Sequence, residues 1–493
     1  MNNDKKINII CVGTGYHARR IYLQFLMKEE NDFNIKLVAG YDILSQKNII
    51  DHYFLKNNFE VEMRYTENSI ISDSLEDKEE KDLIELISKY DIKAAIISTE
   101  PLAHFKYAKF FLDNNISILM DKPITTELGV VINSTKAKKL LSDYDLLNQL
   151  YISKKKFNPD LCFHLMAQRR YHPAFLLMKK LIEEVQMETN CPITSLQSFH
   201  SDGQWRFPTE IVEQTYHPYN QGYGKCSHSG YHSIDISSWL IDTISDQSKK
   251  INNVTIDSTF IKPNDLLAQL NLNDYKKLFP DFDKYNKYST KELKEKMVNF
   301  GEVDAFINIS FKHDDDIITN ASINLLHNGF GQRSWVSSEK RDLYKGNGRV
   351  RHESHLIEQG PFQSISFISY QSNEVDPTVE NDIYGVGGEY HLDIHVFRNS
   401  ALFPKWKSHQ VYHINKLNEN KMQGFSRGHQ EDARRNGIVD FIKRLKNEIT
   451  DKEVTSDFSS HRKGIILVSG IYQSGISKLN NNGEDINMEY KDL

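Results

Sequence analysis

The stretch "KINIICVGTGYHARRIYLQFL" near the start of the chain admits few folds. Ile7 to Val12 form an apolar run that reads as a buried strand, Gly13 and Gly15 make a tight turn, and the following residues carry an apolar side at helical spacing. Gly13, Gly15 and Ala18 fit the GxGxxG/A pattern. In that pattern the first glycine makes the turn, the second lets a pyrophosphate approach the backbone, and the third small residue lets helix pack on strand. The backbone around Thr14, Tyr16 and His17 would then offer its N–H groups to phosphates at the helix N-terminus. A second strand, "IKLVAGYD", ends at Asp42, near the position of an acid that binds the adenosine ribose, roughly 20 residues on. A carboxylate there accepts from ribose hydroxyls and repels a 2′-phosphate. No arginine follows it, so NAD is expected rather than NADP.

Regular alternation follows, with "DLIELISKY" as helix, "KAAIIST" as strand, "AHFKYAKFFLDNN" as helix and "SILMD" as strand. This indicates βαβ units and a doubly wound parallel sheet. The polar residues from Leu44 to about Leu83 read as a helix plus a surface insertion. After Tyr151 the texture changes. "LCFHLMAQRRY", "ITSLQSFHSDGQW", "DAFINISFKH", "IITNASINLLH" and "SISFISYQS" read as strands, several of them alternating as in an antiparallel sheet with one wet face. Residues from about Pro263 to Asn299 read as a helical insertion. The fold class expected is α/β: an N-terminal Rossmann domain over residues 1–155, then an α/β domain with an open, mainly antiparallel sheet over 156–424. Terminal helices over 425–493 are expected to return to the first domain.

With 493 residues, 61 Lys and Arg against 67 Asp and Glu give a net charge of −6, which offers no footprint for nucleic acid or an anionic membrane. No apolar run is long enough to span a bilayer, and "MNNDKK" lacks the apolar stretch of a secretory signal, so a cytoplasmic protein is expected. The four cysteines form no CxxC pair, which argues against a disulfide framework or a structural zinc site.

Two further stretches carry chemistry. "STEPLAHFKYAKFFLDNNISILMDKPIT" contains Thr99, Glu100, Pro101 and His104, then Asp121, Lys122 and Pro123; "GKCSHSGYHSIDISSWL" contains Gly224, His228, Gly230, His232, Asp235 and Trp239. Together they resemble the glucose-fructose oxidoreductase and inositol dehydrogenase family (Gfo/Idh/MocA), with its TPxxxH turn, its EKP motif and its GGxxxDxGxHxxD pattern. The resemblance covers most of Lys6 to Leu240. Glu100 stands where a proline is usual, Asp121 replaces the glutamate, and His228 takes the place of the aspartate. The resemblance implies that Thr99, His104 and Lys122 lie on the cofactor side. It also implies that Lys122 and His232 are catalytic, and that the family's usual oligomer interface makes a homodimer or tetramer.

In such a dehydrogenase a hydride leaves a hydroxyl carbon for nicotinamide while a base takes the hydroxyl proton. Imidazole titrates close to neutrality, which suits His232 as that base, and Lys122 would stabilise the developing alkoxide. His228 is expected to touch a substrate hydroxyl or to relay a proton. Asp235 is read as structural or as an orienter of His232, and Trp239 as core. Arg170, Tyr171, Trp205, Tyr219 and Tyr223 are candidate substrate contacts; Trp205 reads equally well as part of a surface turn. If the stretch were all helix, His228 and His232 would share a face at a spacing known from zinc sites. "HSGYH" lacks the glutamate of HExxH and marks no third ligand, so no metal is expected.

The function expected is an NAD-dependent oxidoreductase acting on a sugar, sugar derivative or polyol. Three rivals remain: a lyase, epimerase or glycosidase that retains its NAD, a nucleotide-sensing regulator on the same fold, and a zinc hydrolase.

Overall fold

A computed structural model describes residues 6–67, 72–336, 348–372, 382–417 and 428–492. The chain divides into two compact units, one of residues 1–126, 142–172 and 430–462, the other of 127–141, 173–429 and 463–493.

The first unit holds a six-stranded sheet in the order β3-β2-β1-β4-β5-β6, formed by Ile7–Val12 (β1), Ile35–Ile43 (β2), Glu62–Thr66 (β3), Ala94–Ile97 (β4), Ser117–Met120 (β5) and Phe163–Leu165 (β6). Every pairing is parallel. The strand order reverses between β1 and β4, and in such sheets ligands bind outside the carboxyl ends of the strands at that point. This is the doubly wound sheet that the sequence implied.

Two segments depart from the sequence reading. Among the described residues of Leu44 to Leu83 the expected helix, over Lys47–Lys56, is followed not by an irregular insertion but by the edge strand β3 and the start of a helix over Asp77–Tyr90. β3 escaped because an edge strand needs no apolar run; four of its five residues, "EMRY", are half-buried. The acidic stretch begins the next helix. Glu76 is the N-cap and Asp77, Glu79 and Glu80 fill the first turn, where carboxylates meet the positive end of the helix dipole. The run 161–171, whose texture suggested the second domain, supplies β6 to the first sheet instead. Of the two closing helices, His429–Leu445 packs Ile438, Phe441 and Ile442 into the first unit's core with Ile9, Ala94, Leu119, Cys162 and Met166.

The second unit holds a nine-stranded sheet in the order β14-β13-β12-β11-β7-β10-β9-β8-β15. Its strands are Ser195–Ser201 (β7), Asn253–Ile261 (β8), Asp304–His313 (β9), Asp316–Leu326 (β10), Val350–Gln359 (β11), Gln363–Ser372 (β12), Asp393–Arg398 (β13), His409–His413 (β14) and Ile486–Glu489 (β15). All pairings are antiparallel except β7 with β10. In β9 the inward residues Ala305, Ile307, Ile309 and Phe311 alternate with exposed or half-buried ones, as expected of a sheet with one covered face. The second closing helix, Arg462–Leu479, belongs to the second unit from Lys463 onward. It lies on β8, where Ser474 Oγ accepts from the Ser258 N–H at 2.8 Å, and Ser258 Oγ donates to the Ile471 carbonyl at 2.6 Å. The 263–299 insertion forms four short helices, Pro263–Gln269, Leu272–Leu278, Phe282–Tyr285 and Thr290–Lys296. Leu267, Leu272, Tyr275, Phe279, Phe282, Leu293 and Met297 bury against Phe207, Ile211 and Tyr219 in an aromatic-rich cluster. Among the described residues no helix is long and apolar enough to cross a membrane.

Candidate active site

In the first unit the turn after β1 has the form that its sequence demands. Gly13 sits at φ +81°, and a Cβ there would fall 2.4 Å from the Ser98 carbonyl oxygen, so only glycine fits. At Gly15 an added Cβ meets nothing within 4 Å: the backbone borders open space, as a phosphate-binding turn must. Asp42 lies beside this turn. Its Oδ2 accepts from the Thr14 N–H at 2.6 Å and hydroxyl at 2.9 Å, and its Oδ1 accepts from the Ile43 N–H at 2.7 Å. Carboxylate oxygens have further acceptor capacity, so ribose hydroxyls can still be received. Tyr16 is exposed, Ala18 is buried, and the helix from Tyr16 passes through a π-helical turn at Arg19–Leu23.

The loop after β5 is tied down on both sides. Tyr22 donates to Asp121, Ser98 Oγ donates to it at 2.6 Å, and His17 Nε2 lies 3.6 Å away. Burial alone would raise the Asp121 carboxyl, but His17, Ser98 and Tyr22 outweigh it and hold it well below the ordinary carboxylate range. His104 is fully buried, with Nδ1 2.7 Å from the Pro123 carbonyl oxygen and Nε2 3.2 Å from that of Thr99. Burial lowers its pKa, and the ring lies between the loop after β4 and the loop that bears half-buried Lys122. Its position is that of a brace. Arg170 is likewise buried, with Nη1 donating to Ser460 Oγ at 2.8 Å, and the Tyr171 hydroxyl donates to Asp440 at 2.8 Å. Both hold the first unit's own segments together.

In the second unit the stretch from Gly224 is not helical throughout. The helix begins at Tyr231 and runs to Ile241, so His232 is on it while His228 lies in the preceding turn. The expectation of one helical face is therefore corrected. Gly224 explains the turn: a Cβ there would lie 1.9 Å from the Glu302 carbonyl oxygen, and that oxygen accepts from the Lys225 N–H at 2.8 Å. His228 is buried among rings, 5.2 Å from Tyr223, 5.6 Å from Tyr219 and 4.6 Å from His217. His232 is nearly as buried, Asp235 lies inside the helix beside Gly464, and Trp239 carries Lys179 4.0 Å above its ring. Trp205 packs with Phe207, Tyr275 and Phe279 in the aromatic cluster, and its Nε1 donates to the Tyr275 hydroxyl at 3.3 Å.

The sequence reads His200, Asp202 and Arg206 as a polar loop that could line a sugar pocket, but does not show that Lys225 joins His200 and Asp202 in a charged cluster. The buried ammonium donates to Asp202 Oδ2 at 2.6 Å, Ser229 Oγ at 2.9 Å and His200 Nδ1 at 3.0 Å, which uses its three donors. Arg349 donates to Asp202 Oδ1 at 3.0 Å and to the Asp202 carbonyl at 2.9 Å. Burial would raise the Asp202 carboxyl, yet Lys225, His200 and Arg349 hold it well below its ordinary range. Lys225, His327 and Arg349 carry no local motif. The one legible signal was "FHSD", in which His200 and Asp202 project from the end of a strand.

Residues 7–142 match the model of the oxidoreductase family with an NAD-binding Rossmann fold, GFO_IDH_MocA. No curated protein matches the chain in sequence. Among solved structures, an oxidoreductase from Agrobacterium radiobacter in complex with NAD+, L-tartaric acid and magnesium is similar at 11% identity over 98% of both chains, with a TM-score of 0.56. The WlbA dehydrogenase from Bordetella pertussis, in complex with NADH and UDP-GlcNAcA, is similar at 11% identity over 98% of both chains, with a TM-score of 0.55. An aldose-aldose oxidoreductase from Caulobacter crescentus, complexed with glycerol, gives 9% identity over 98% of this chain and 100% of that one, with a TM-score of 0.56. At these identities the likeness is one of fold. The family match and the motifs agree on the N-terminal part: residues 7–142 match the NAD-binding Rossmann fold of the Gfo/Idh/MocA oxidoreductase family.

Proposed function

We propose that the protein is an NAD-dependent dehydrogenase that moves a hydride between a hydroxyl carbon of a sugar, sugar derivative or polyol and nicotinamide. The observation that carries this reading is the turn after β1, where position 13 accepts only glycine, position 15 borders open space and Asp42 stands alongside. Asp42 favours NAD, because its carboxylate receives ribose hydroxyls and repels a 2′-phosphate. When bound, the nicotinamide supplies the hydride acceptor. His232 takes the hydroxyl proton, a task for which imidazole is suited near neutral pH. Lys122 is the cation we assign to stabilise negative charge developing on the substrate. His228, packed edge-on against Tyr219 and Tyr223, meets a second hydroxyl or passes the proton on. Arg170, Tyr171 and Trp205 are given no substrate contact, since each is engaged in packing within its own unit. The family resemblance also supports a homo-oligomer, which sedimentation would read.

The test follows NADH absorbance with purified protein, NAD+ and a panel of sugars and polyols. Lys122→Met and His232→Asn are each expected to lower turnover by about 100-fold or more while NAD binding in calorimetry persists. A protein that binds neither NAD nor NADP refutes the reading. Substrate conversion without net NADH replaces it by an internal redox cycle.

A further inference from the structure

The end of β7 in the second unit carries groups that the proposed chemistry does not use. Asp202 follows β7, and its N–H donates to the Leu326 carbonyl at the end of parallel neighbour β10. His327 comes next. The chain then crosses the end of β7, and Gly331 bridges Arg349, whose guanidinium holds Asp202. His327, Asp202 and Arg349 are thus gathered at the ends of three adjacent central strands of the sheet.

His327 is 5% exposed. Its Nδ1 lies 2.8 Å from the Tyr219 hydroxyl, while its Nε2 is buried and has no hydrogen-bond partner among the described residues. Burial holds the Tyr219 phenol protonated, well above its ordinary pKa, and burial together with Arg206 lowers the His327 ring to about 3. Where the phenol donates to Nδ1, the ring proton lies on Nε2. That N–H is a buried donor in want of an acceptor, and leaving it unmet is costly.

The local charge points the same way. Lys225 and Arg349 both bind Asp202, so this contact set holds two cations for one carboxylate. Arg349 spends two of a guanidinium's five N–H donors on Asp202. Asp304 stands near; burial raises its pKa, and its Oδ1 accepts from the His327 backbone N–H at 2.7 Å. Spare Arg349 N–H donors and an unpartnered buried ring nitrogen within each other's electrostatic reach match an anionic oxygen group.

We propose that His327 and Arg349 form a subsite for an anionic group of the substrate, a carboxylate or a phosphate, so that the protein acts on an acidic sugar or polyol rather than a neutral one. The subsite rests on the dehydrogenase reading for its setting but is tested by binding alone. Tyr219 links it to the proposed reaction site, since its ring also packs against His228.

The experiment is calorimetric titration of the NAD-loaded protein with D-gluconate, D-glucuronate, a hexose phosphate, D-glucose and myo-inositol, with NADH formation followed in parallel. One of the acidic probes is expected to bind about tenfold or more tighter than the neutral ones, and the carboxylate and phosphate arms say which anion is read. His327→Gln and Arg349→Gln should each lower that affinity about tenfold while leaving NAD affinity unchanged, with Arg349→Lys recovering part of it. Circular dichroism and unchanged NAD affinity identify the variants that have kept their fold. Equal binding of neutral and acidic probes overturns the subsite, even if neutral sugars are oxidised and the dehydrogenase reading stands. Variant-sensitive binding of an acid without any NADH upholds the subsite and removes the dehydrogenase reading.

Discussion

Glu302 offers a quantitative test of how the Gly224–Gly230 turn is held. It is fully buried, its Oε1 accepts from the Cys226 N–H at 2.8 Å and the Tyr472 hydroxyl at 3.0 Å, and its Oε2 has no hydrogen-bond partner among the described residues. Burial pushes its pKa from 4.5 up to about 7. The folded protein therefore keeps this proton to near neutrality, whereas the unfolded chain releases it near pH 4.5. Between those values the native state binds more protons, so stability is full below the unfolded value and declines as pH rises through the folded one. The difference is worth about 3 kcal/mol, most of it lost between about pH 5 and pH 7. Glu302→Gln removes the titration and keeps an acceptor for the Cys226 N–H. Differential scanning calorimetry of both proteins from about pH 4.5 to pH 8 should show the wild-type midpoint falling several degrees relative to the variant. The variant's absolute midpoint does not matter; the divergence with pH does. Parallel profiles would mean that Glu302 is solvated or ionised in the fold, and the argument from burial would fail.

Three more outcomes are expected. Gly13→Ala introduces a Cβ 2.4 Å from the Ser98 carbonyl at a positive φ; it should cost about 2–4 kcal/mol and weaken NAD binding in calorimetry, and unaltered binding would refute the role of the turn. Asp42→Ser removes the acceptor at the second strand's end, so the ratio of NAD to NADP affinity should fall at least about tenfold, and a constant ratio would show that Asp42 does not select the cofactor. Phe279→Ala removes a ring that packs 5.0 Å from Phe207 and 5.5 Å from Trp205; a loss of about 3–5 kcal/mol, read by urea unfolding, is expected if the insertion is a true core.

The parts of the fold legible in the sequence were those governed by short-range rules. A buried parallel strand must be apolar, and the turn after β1 must be glycine, so β1 and the turn around Gly13 announce themselves. β3 and β6 did not, because pairing makes them strands while composition does not: one is a half-wet edge, the other only three residues long. Helical spacing placed His228 and His232 on one face, but Gly224 lets the chain press against Glu302 and turn before the helix starts. Lys122, His228 and His232 could be singled out because they sit in motifs. Lys225, His327 and Arg349 could not: single residues from three distant segments, they meet only when β7 is paired between β10 and β11.

The 263–299 insertion answers a need that the charged cluster creates. Burying Lys225, Asp202 and Arg349 removes them from water, a cost that their mutual attraction offsets only while the geometry is held. The segments presenting these groups are loops, and loops hold a geometry poorly unless packed from behind. The insertion supplies that packing: its rings bury against Phe207, five residues beyond Asp202, against Tyr219, which orients His327, and against Val303, next to Glu302. Apolar burial here acts on polar groups at the opposite ends of the same residues and short segments. Loosening the aromatic cluster should therefore disturb the Tyr219–His327 contact before it unfolds the nine-stranded sheet, whose own core lies elsewhere along β8 to β10.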